Sequence, residues 1–231
     1  MLNKTTLLIL VGIAFIIGVF FWLRPDANES IISNVSPRTT DGEVVIVAFG
    51  DSLTAGYGLP AQEAYPAKLE ASLRAEGKSV RVINAGVSGE TTRGNLERAE
   101  FIRGQNPDIV LLGIGGNDAL RQLPVETAKS NITETINILQ SGENPPIVVL
   151  LQMQAPLNAG LAYKREFDAM YEALAEQEQV LLVPFLTAEV FLNVENKLAD
   201  GIHLNATGYQ KVVDDYMLPT LVPLIDQLTS T

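Results

Sequence analysis

The chain has 231 residues, 47% of them hydrophobic, enough for one substantial core plus an appendage and with nothing that demands a second globular domain. A net charge of -11 argues against a nucleic-acid or anionic-membrane face, because neutralising phosphates takes clustered lysine and arginine. There is no cysteine and only one histidine, His203, so disulfides, thiolate nucleophiles and multi-histidine metal sites are excluded and any imidazole chemistry must run through that residue.

In chain order, the first feature is Leu7 to Leu23, LLILVGIAFIIGVFFWL, an uncharged and almost wholly apolar run. As a helix it would be about 25 Å long, at the short end of what crosses a bilayer. Lys4 precedes the run, while Arg24 after it is soon diluted by Asp26 and Glu29, so the positive-inside rule keeps the N-terminus in the cytoplasm and exports the rest. The following RPDAN makes a poor cleavage site, and residues 1–23 are expected to form a retained anchor or, failing that, a signal segment. Residues 24–42, RPDANESIISNVSPRTTDG, lack periodicity and are expected to be a flexible linker reaching on the order of 25 Å. A single domain is expected over residues 43–231.

After Gly42 short β-branched runs alternate with amphipathic segments. Strands are expected at Val44 to Phe49, Val80 to Asn84, Asp108 to Ile114, Ile147 to Met153 and Val180 to Phe185, each a near-continuous apolar run suited to burial on both faces. Phe167, Met170, Tyr171 and Leu174 fall at helical spacing, as do Tyr209, Val212, Val213, Tyr216 and Met217. The pattern predicts an α/β fold in which helices cover both faces of a five-stranded parallel sheet. Sites in such folds lie at the carboxyl ends of the strands, where strand order reverses.

Three of those ends carry glycine with small polar groups. VAFGDSLTAGYG puts Ser52 just past the first strand, Asn84-Ala85-Gly86 follows the second, and Gly115-Gly116-Asn117-Asp118 the third. A serine hydroxyl needs a base, and His203, with Asp200 three residues before it, is the available imidazole–carboxylate pair. The amides of Ser52 and Gly86 and the side chain of Asn117 are candidate donors to an oxyanion. Plainer readings stand beside these: His203 before a helix also suits a surface or capping residue, and the glycines also suit tight turns. The first loop lacks a P-loop lysine and is not a G-x-S-x-G elbow.

Taken together, FGDSLTAGYG, INAGVSGETT, GIGGND and LADGIHLN resemble, in order and spacing, the four signature blocks of the SGNH (GDSL) hydrolase superfamily. The similarity is greatest to its bacterial acyl-CoA thioesterase, lysophospholipase and arylesterase branch. The resemblance implies a three-layer α/β/α fold with Ser52 as nucleophile, Asp200 and His203 as its partners, and Gly86 and Asn117 as oxyanion donors beside the Ser52 amide. It also implies that Asp51 supports the serine turn and Asp118 the Asn117 loop. Neither a metal nor an organic cofactor is expected, and the partner is a small ester or lipid. In a bacterium the exported domain would lie in the periplasm or at the outer face of the cytoplasmic membrane. Where the family commonly has proline after the histidine, this chain has Leu204, which is expected to loosen that loop. Leu120, Leu123, Leu157 and Leu161, in the loops after Asn117 and Met153, are candidates for an acyl groove. An O-acetylesterase of envelope carbohydrate and a non-catalytic acyl-binding module are the alternatives.

Overall fold

The computed structural model describes residues 27–37 and 42–230, so the apolar run Leu7 to Leu23 lies outside the described residues. Among the described residues, no helix is long and apolar enough to cross a membrane. Strands β1 (Val44–Gly50), β2 (Val80–Gly86), β3 (Ile109–Gly113), β4 (Ile147–Gln152) and β5 (Leu181–Pro184) form one parallel sheet in the order β2-β1-β3-β4-β5. All the expected strands are present, with ends shifted by one or two residues. β1, β3 and β4 are buried along nearly their whole length, and that is why they read as unbroken apolar runs.

The helices are α1 (Ala27–Ser33), α2 (Ser52–Ala55), α3 (Tyr65–Ala75), α4 (Thr92–Arg103) and α5 (Gly116–Leu120), then α6 (Val125–Leu139), α7 (Leu161–Glu178), α8 (Ala188–Leu192), α9 (Ala206–Val212) and α10 (Leu218–Thr229). α4, α6 and α7 stack on one another as one layer, while α3, α9 and α10 form the other, giving the expected three-layer α/β/α architecture. The stripe Phe167, Met170, Tyr171 and Leu174 is buried as its spacing predicts. The second stripe is interrupted by a π turn over Val213–Met217, where Pro219 supplies no N–H to the helical ladder. Tyr209, Val212, Val213 and Met217 stay buried, but Tyr216 is turned to the edge of the core.

The span 24–42, expected to be a linker, is partly folded onto the domain. Ile31, Ile32 and Val35 pack against the core, and the Asn28 side chain satisfies the open edge of β5 by donating to Leu182 O at 2.8 Å and accepting from Leu182 N at 3.0 Å. Gln227 Nε2 on α10 donates to Val35 O at 3.1 Å. A polar composition hid Ile31 and Ile32, four and three residues before Val35, and an asparagine able to mimic a strand partner. The folded unit therefore reaches back to Ala27 instead of beginning at Glu43.

Candidate active site

Strand order reverses between β1 and β3, and the site forms there, at their carboxyl ends. β1 ends on glycine because a Cβ at Gly50 would run into Thr54 Oγ1 and the Gly113 carbonyl. Asp51 then caps α2, its Oδ1 accepting from Leu53 N at 2.9 Å, and Ser52 becomes the first helical residue. The Ser52 amide is thus one of the donors that a helix start leaves unpaired. Gly56, at a φ of 76°, closes α2 after one turn by returning its N–H to Ser52 O. Tyr209 on α9 donates to Leu53 O at 2.9 Å and ties this turn to the element that follows His203.

Asp200 and His203 belong to one tight turn. Asp200 Oδ1 accepts from Ile202 N at 2.9 Å and His203 N at 3.0 Å, while Oδ2 lies 2.7 Å from His203 Nδ1. His203 Nε2 lies 2.8 Å from Ser52 Oγ. A carboxylate cannot donate, so the proton sits on Nδ1 and Nε2 is left to accept from the serine hydroxyl. Desolvation pushes the Asp200 carboxyl up, but the hydrogen bonds from His203 and Ile202 and the histidine's charge together hold it down at about 2. It is therefore an anion throughout the neutral range. Tyr57 lies against the imidazole, ring centroids 4.6 Å apart and planes inclined by 34°.

The loop expected to be loosened by Leu204 is pinned instead. Leu204 is fully buried, and the backbone on either side is paired, Leu198 N to His203 O at 2.8 Å and Asn205 N to Asn196 O at 2.9 Å. Asn205 also caps α9. Burial and pairing here supply the stiffness that a proline would give.

On the other side of Ser52, Asn117 Nδ2 donates to Asp51 Oδ2 at 3.2 Å and to Glu90 O at 3.0 Å. Asp118, also buried, accepts from Thr92 N at 2.8 Å and Thr92 Oγ1 at 2.7 Å, so it fastens the Asn117 loop to the start of α4. Asp51 and Asp118 are thus both buried and hydrogen-bonded, one in the turn at Ser52 and the other in the loop that carries Asn117. Gly86 does not serve as expected: its amide already donates to Asn84 Oδ1 at 3.0 Å. Its lack of a side chain has another reason, since a Cβ there would collide with the Ala55 amide. Gly89, one residue before the Glu90 that Asn117 contacts, has a φ of 82° and an amide with no hydrogen-bond partner among the described residues. Its carbonyl is held by Arg121 at 2.9 Å, and the next carbonyl, of Glu90, is the one that Asn117 holds.

A cavity of about 410 Å³ opens beside Ser52 and His203. Of the four candidate groove residues, Leu120 and Leu157 line it; Leu123 and Leu161 do not. Leu123 is half-buried and its carbonyl accepts from Tyr163 at 2.9 Å, while Leu161 points to solvent at the start of α7. The opposite wall comes from Leu186, Phe191 and Leu192 around α8 and from Ile202. That wall was not anticipated from the sequence, where TAEVFLNVENK offers only a short apolar cluster between polar residues.

A serine at a strand end, hydrogen-bonded to an imidazole that a carboxylate orients, defines a hydrolase class, and the comparisons agree. Residues 48–211 match the GDSL-like Lipase/Acylhydrolase family, and the chain belongs to it. It is 38% identical over 160 residues to an arylesterase of Vibrio mimicus, covering 68% of this chain and 78% of that protein. Over 182 residues it is 33% identical to thioesterase 1/protease 1/lysophospholipase L1 of Escherichia coli K12, covering 78% of this chain and 85% of the relative. A crystal structure of TesA superposes with a TM-score of 0.73 at 32% identity, over 78% of this chain and 99% of the other.

Proposed function

We propose that the protein is a serine esterase that hydrolyses acyl-chain esters, and thioesters, through an acyl-enzyme on Ser52, in the manner of a lysophospholipase or arylesterase. The observation that carries this reading is the hydrogen-bonded chain Ser52, His203, Asp200 at the mouth of an apolar cavity. His203 Nε2 takes the Ser52 proton as Oγ attacks the carbonyl, and Asp200 stabilises the imidazolium. The imidazolium then protonates the leaving alcohol or thiolate, and the same base activates the water that releases the acid.

The tetrahedral oxyanion is received by the Ser52 amide, Asn117 Nδ2 and, in place of Gly86, the Gly89 amide. Both Asn117 N–H groups have acceptors before substrate arrives, and the longer bond, to Asp51, is the one exchanged for the oxyanion. Asp51 and Asp118 act by holding Ser52 and Asn117 in place. Leu157, Leu192 and Phe191 offer an acyl chain an apolar wall, and the names of the two relatives above fit that substrate class. The N-terminal run supports an exported, membrane-anchored enzyme.

Hydrolysis of p-nitrophenyl esters from acetyl to palmitoyl by the full chain, beside Ser52→Ala, tests the reading. Rates that climb with chain length and vanish in the variant are expected. An acetyl-only preference points to an O-acetylesterase, and silence on every ester from a folded protein to an acyl-binding module.

A further inference from the structure

Nine large hydrophobic side chains are exposed among the described residues, and most of them surround one opening. Leu120, Leu157, Leu192 and Ile202 line the Ser52 cavity, and Tyr57 lies on His203. Leu161, 80% exposed, begins α7 just after the turn that carries Leu157; Val194, 76% exposed, lies two residues beyond Leu192. The other two are Val87, whose amide donates to Gly50 O at the end of β1, and Phe101 on α4. Isolated exposed apolar residues need no explanation, but a rim gathered about a cavity does.

The docking of α1 says what the rim faces. α1 starts level with Leu182 on β5, and Val35 just beyond its end is held by Gln227 near the end of α10. That end of α10 lies at the amino side of the sheet, since Asp226 pairs with Lys78, two residues before β2. α1 therefore runs from β5 toward the amino side, and its N-terminus points toward the carboxyl side, where the cavity opens. Only Arg24, Pro25 and Asp26 separate α1 from Leu23, the last residue of the apolar run, a reach of no more than about 15 Å.

We propose that the rim around the Ser52 cavity rests on the same bilayer that Leu7 to Leu23 enters, so that acyl esters pass from lipid into the site without crossing water. The surface is zwitterionic phospholipid, since a chain of net charge -11 is repelled by an anionic one. The inference rests on the anchor and on the esterase reading above, and it replaces a domain held off the membrane on a flexible tether with one of fixed orientation.

The chain has no cysteine, so single labels are clean. Leu161→Cys, Val194→Cys and Phe101→Cys variants of the full chain carry an environment-sensitive fluorophore, one chain per phosphatidylcholine nanodisc. Labels at 161 and 194 are expected to shift to the blue and to be quenched by doxyl-lipids, while the label at 101 stays in water. Labels at 161 and 194 as wet as that at 101 overturn the proposal, as does shielding that appears only with two chains per disc, which assigns the rim to a second copy. This readout needs no turnover, and p-nitrophenyl acetate hydrolysis by the same samples judges the esterase reading separately. Leu161→Gln with Val194→Gln is expected to lower hydrolysis of disc-borne lysophospholipid roughly tenfold, the equivalent of about one buried side chain, with acetate turnover unchanged. An unchanged lipid rate removes the rim's role in supplying substrate.

Discussion

Asn117 and Asp51 share a 3.2 Å hydrogen bond that joins the loop after β3 to the turn after β1. The carboxylate accepts from Asn117 and Leu53 together, so before substrate binds one buried group joins the helix that carries Ser52 to the amide proposed to receive the oxyanion. Asn117→Ala is expected to lower kcat by about 10² to 10³, roughly 2.7 to 4 kcal/mol in the barrier, with little change in KM. Asn117→Asp should be worse, because it sets a second carboxylate against Asp51. Steady-state kinetics on p-nitrophenyl butyrate decide this, and an Asn117→Ala rate within threefold of wild type would remove the residue from the oxyanion site.

Tyr57 holds the other side of the imidazole by ring contact, with no hydrogen bond from its hydroxyl among the described residues. Tyr57→Phe should therefore be nearly silent. Tyr57→Ala removes one wall of the His203 pocket and should lower kcat by about tenfold, a loss near 1.4 kcal/mol, in keeping with one aromatic contact. Equal losses in both variants would mean that the hydroxyl, not the ring, matters.

The difference between what was and was not legible in the sequence follows the range of the interactions. Ser52, Asp200 and His203 were readable because each stands in a local pattern: a strand end, and a tight turn in which Asp200 both caps the backbone and faces the ring. The sheet was readable because β1, β3 and β4, covered on both faces, leave continuous apolar runs. Gly86 reads as a candidate oxyanion donor in the sequence because glycine at a strand end suits several purposes, and only its packing against Ala55 shows what its missing side chain is for. The far cavity wall and the docking of α1 were hidden for a similar reason. Leu192 and Ile202 are ten residues apart in the chain, and Asn28 meets Leu182 across most of it. No local period records such pairings.

Gly86 at the end of β2 and Gly89 just beyond it separate stability from catalysis. Gly86→Ala forces a methyl group into the Ala55 backbone, so β2 and α2 must part, and the expected loss is in folding: a Tm lower by several degrees for roughly 1 to 3 kcal/mol of overpacking. A Cβ at Gly89 meets nothing within 4 Å, yet the positive φ strains any side chain and turns the 88–90 backbone. Gly89→Ala should thus cost kcat far more than Tm. Thermal melts beside kinetics test the contrast, and the reverse pattern would return the oxyanion role to Gly86.

Burial of Asp51 should be visible in the pH dependence of stability. Desolvation drives its carboxyl from 3.8 up to about 6, against the hydrogen bonds from Leu53 and Asn117 and the nearby charge of His203. The folded state therefore binds this proton more tightly than the unfolded chain, and the stability it contributes is complete below pH 3.8 and lost as pH rises through 6. The change amounts to about 3 kcal/mol. Asp200 acts with the opposite sign, its contribution present at neutral pH and lost only as pH falls toward 2, so the whole-protein profile mixes the two. Subtracting the Asp51→Asn profile isolates the buried group. Urea unfolding at pH 4, 5, 6 and 7 should show the variant gaining on wild type across that interval, most steeply between 4 and 6. A constant difference would mean that Asp51 ionises in the folded protein as it does in the unfolded chain, and that its hydrogen bonds to Leu53 and Asn117 fully offset its desolvation.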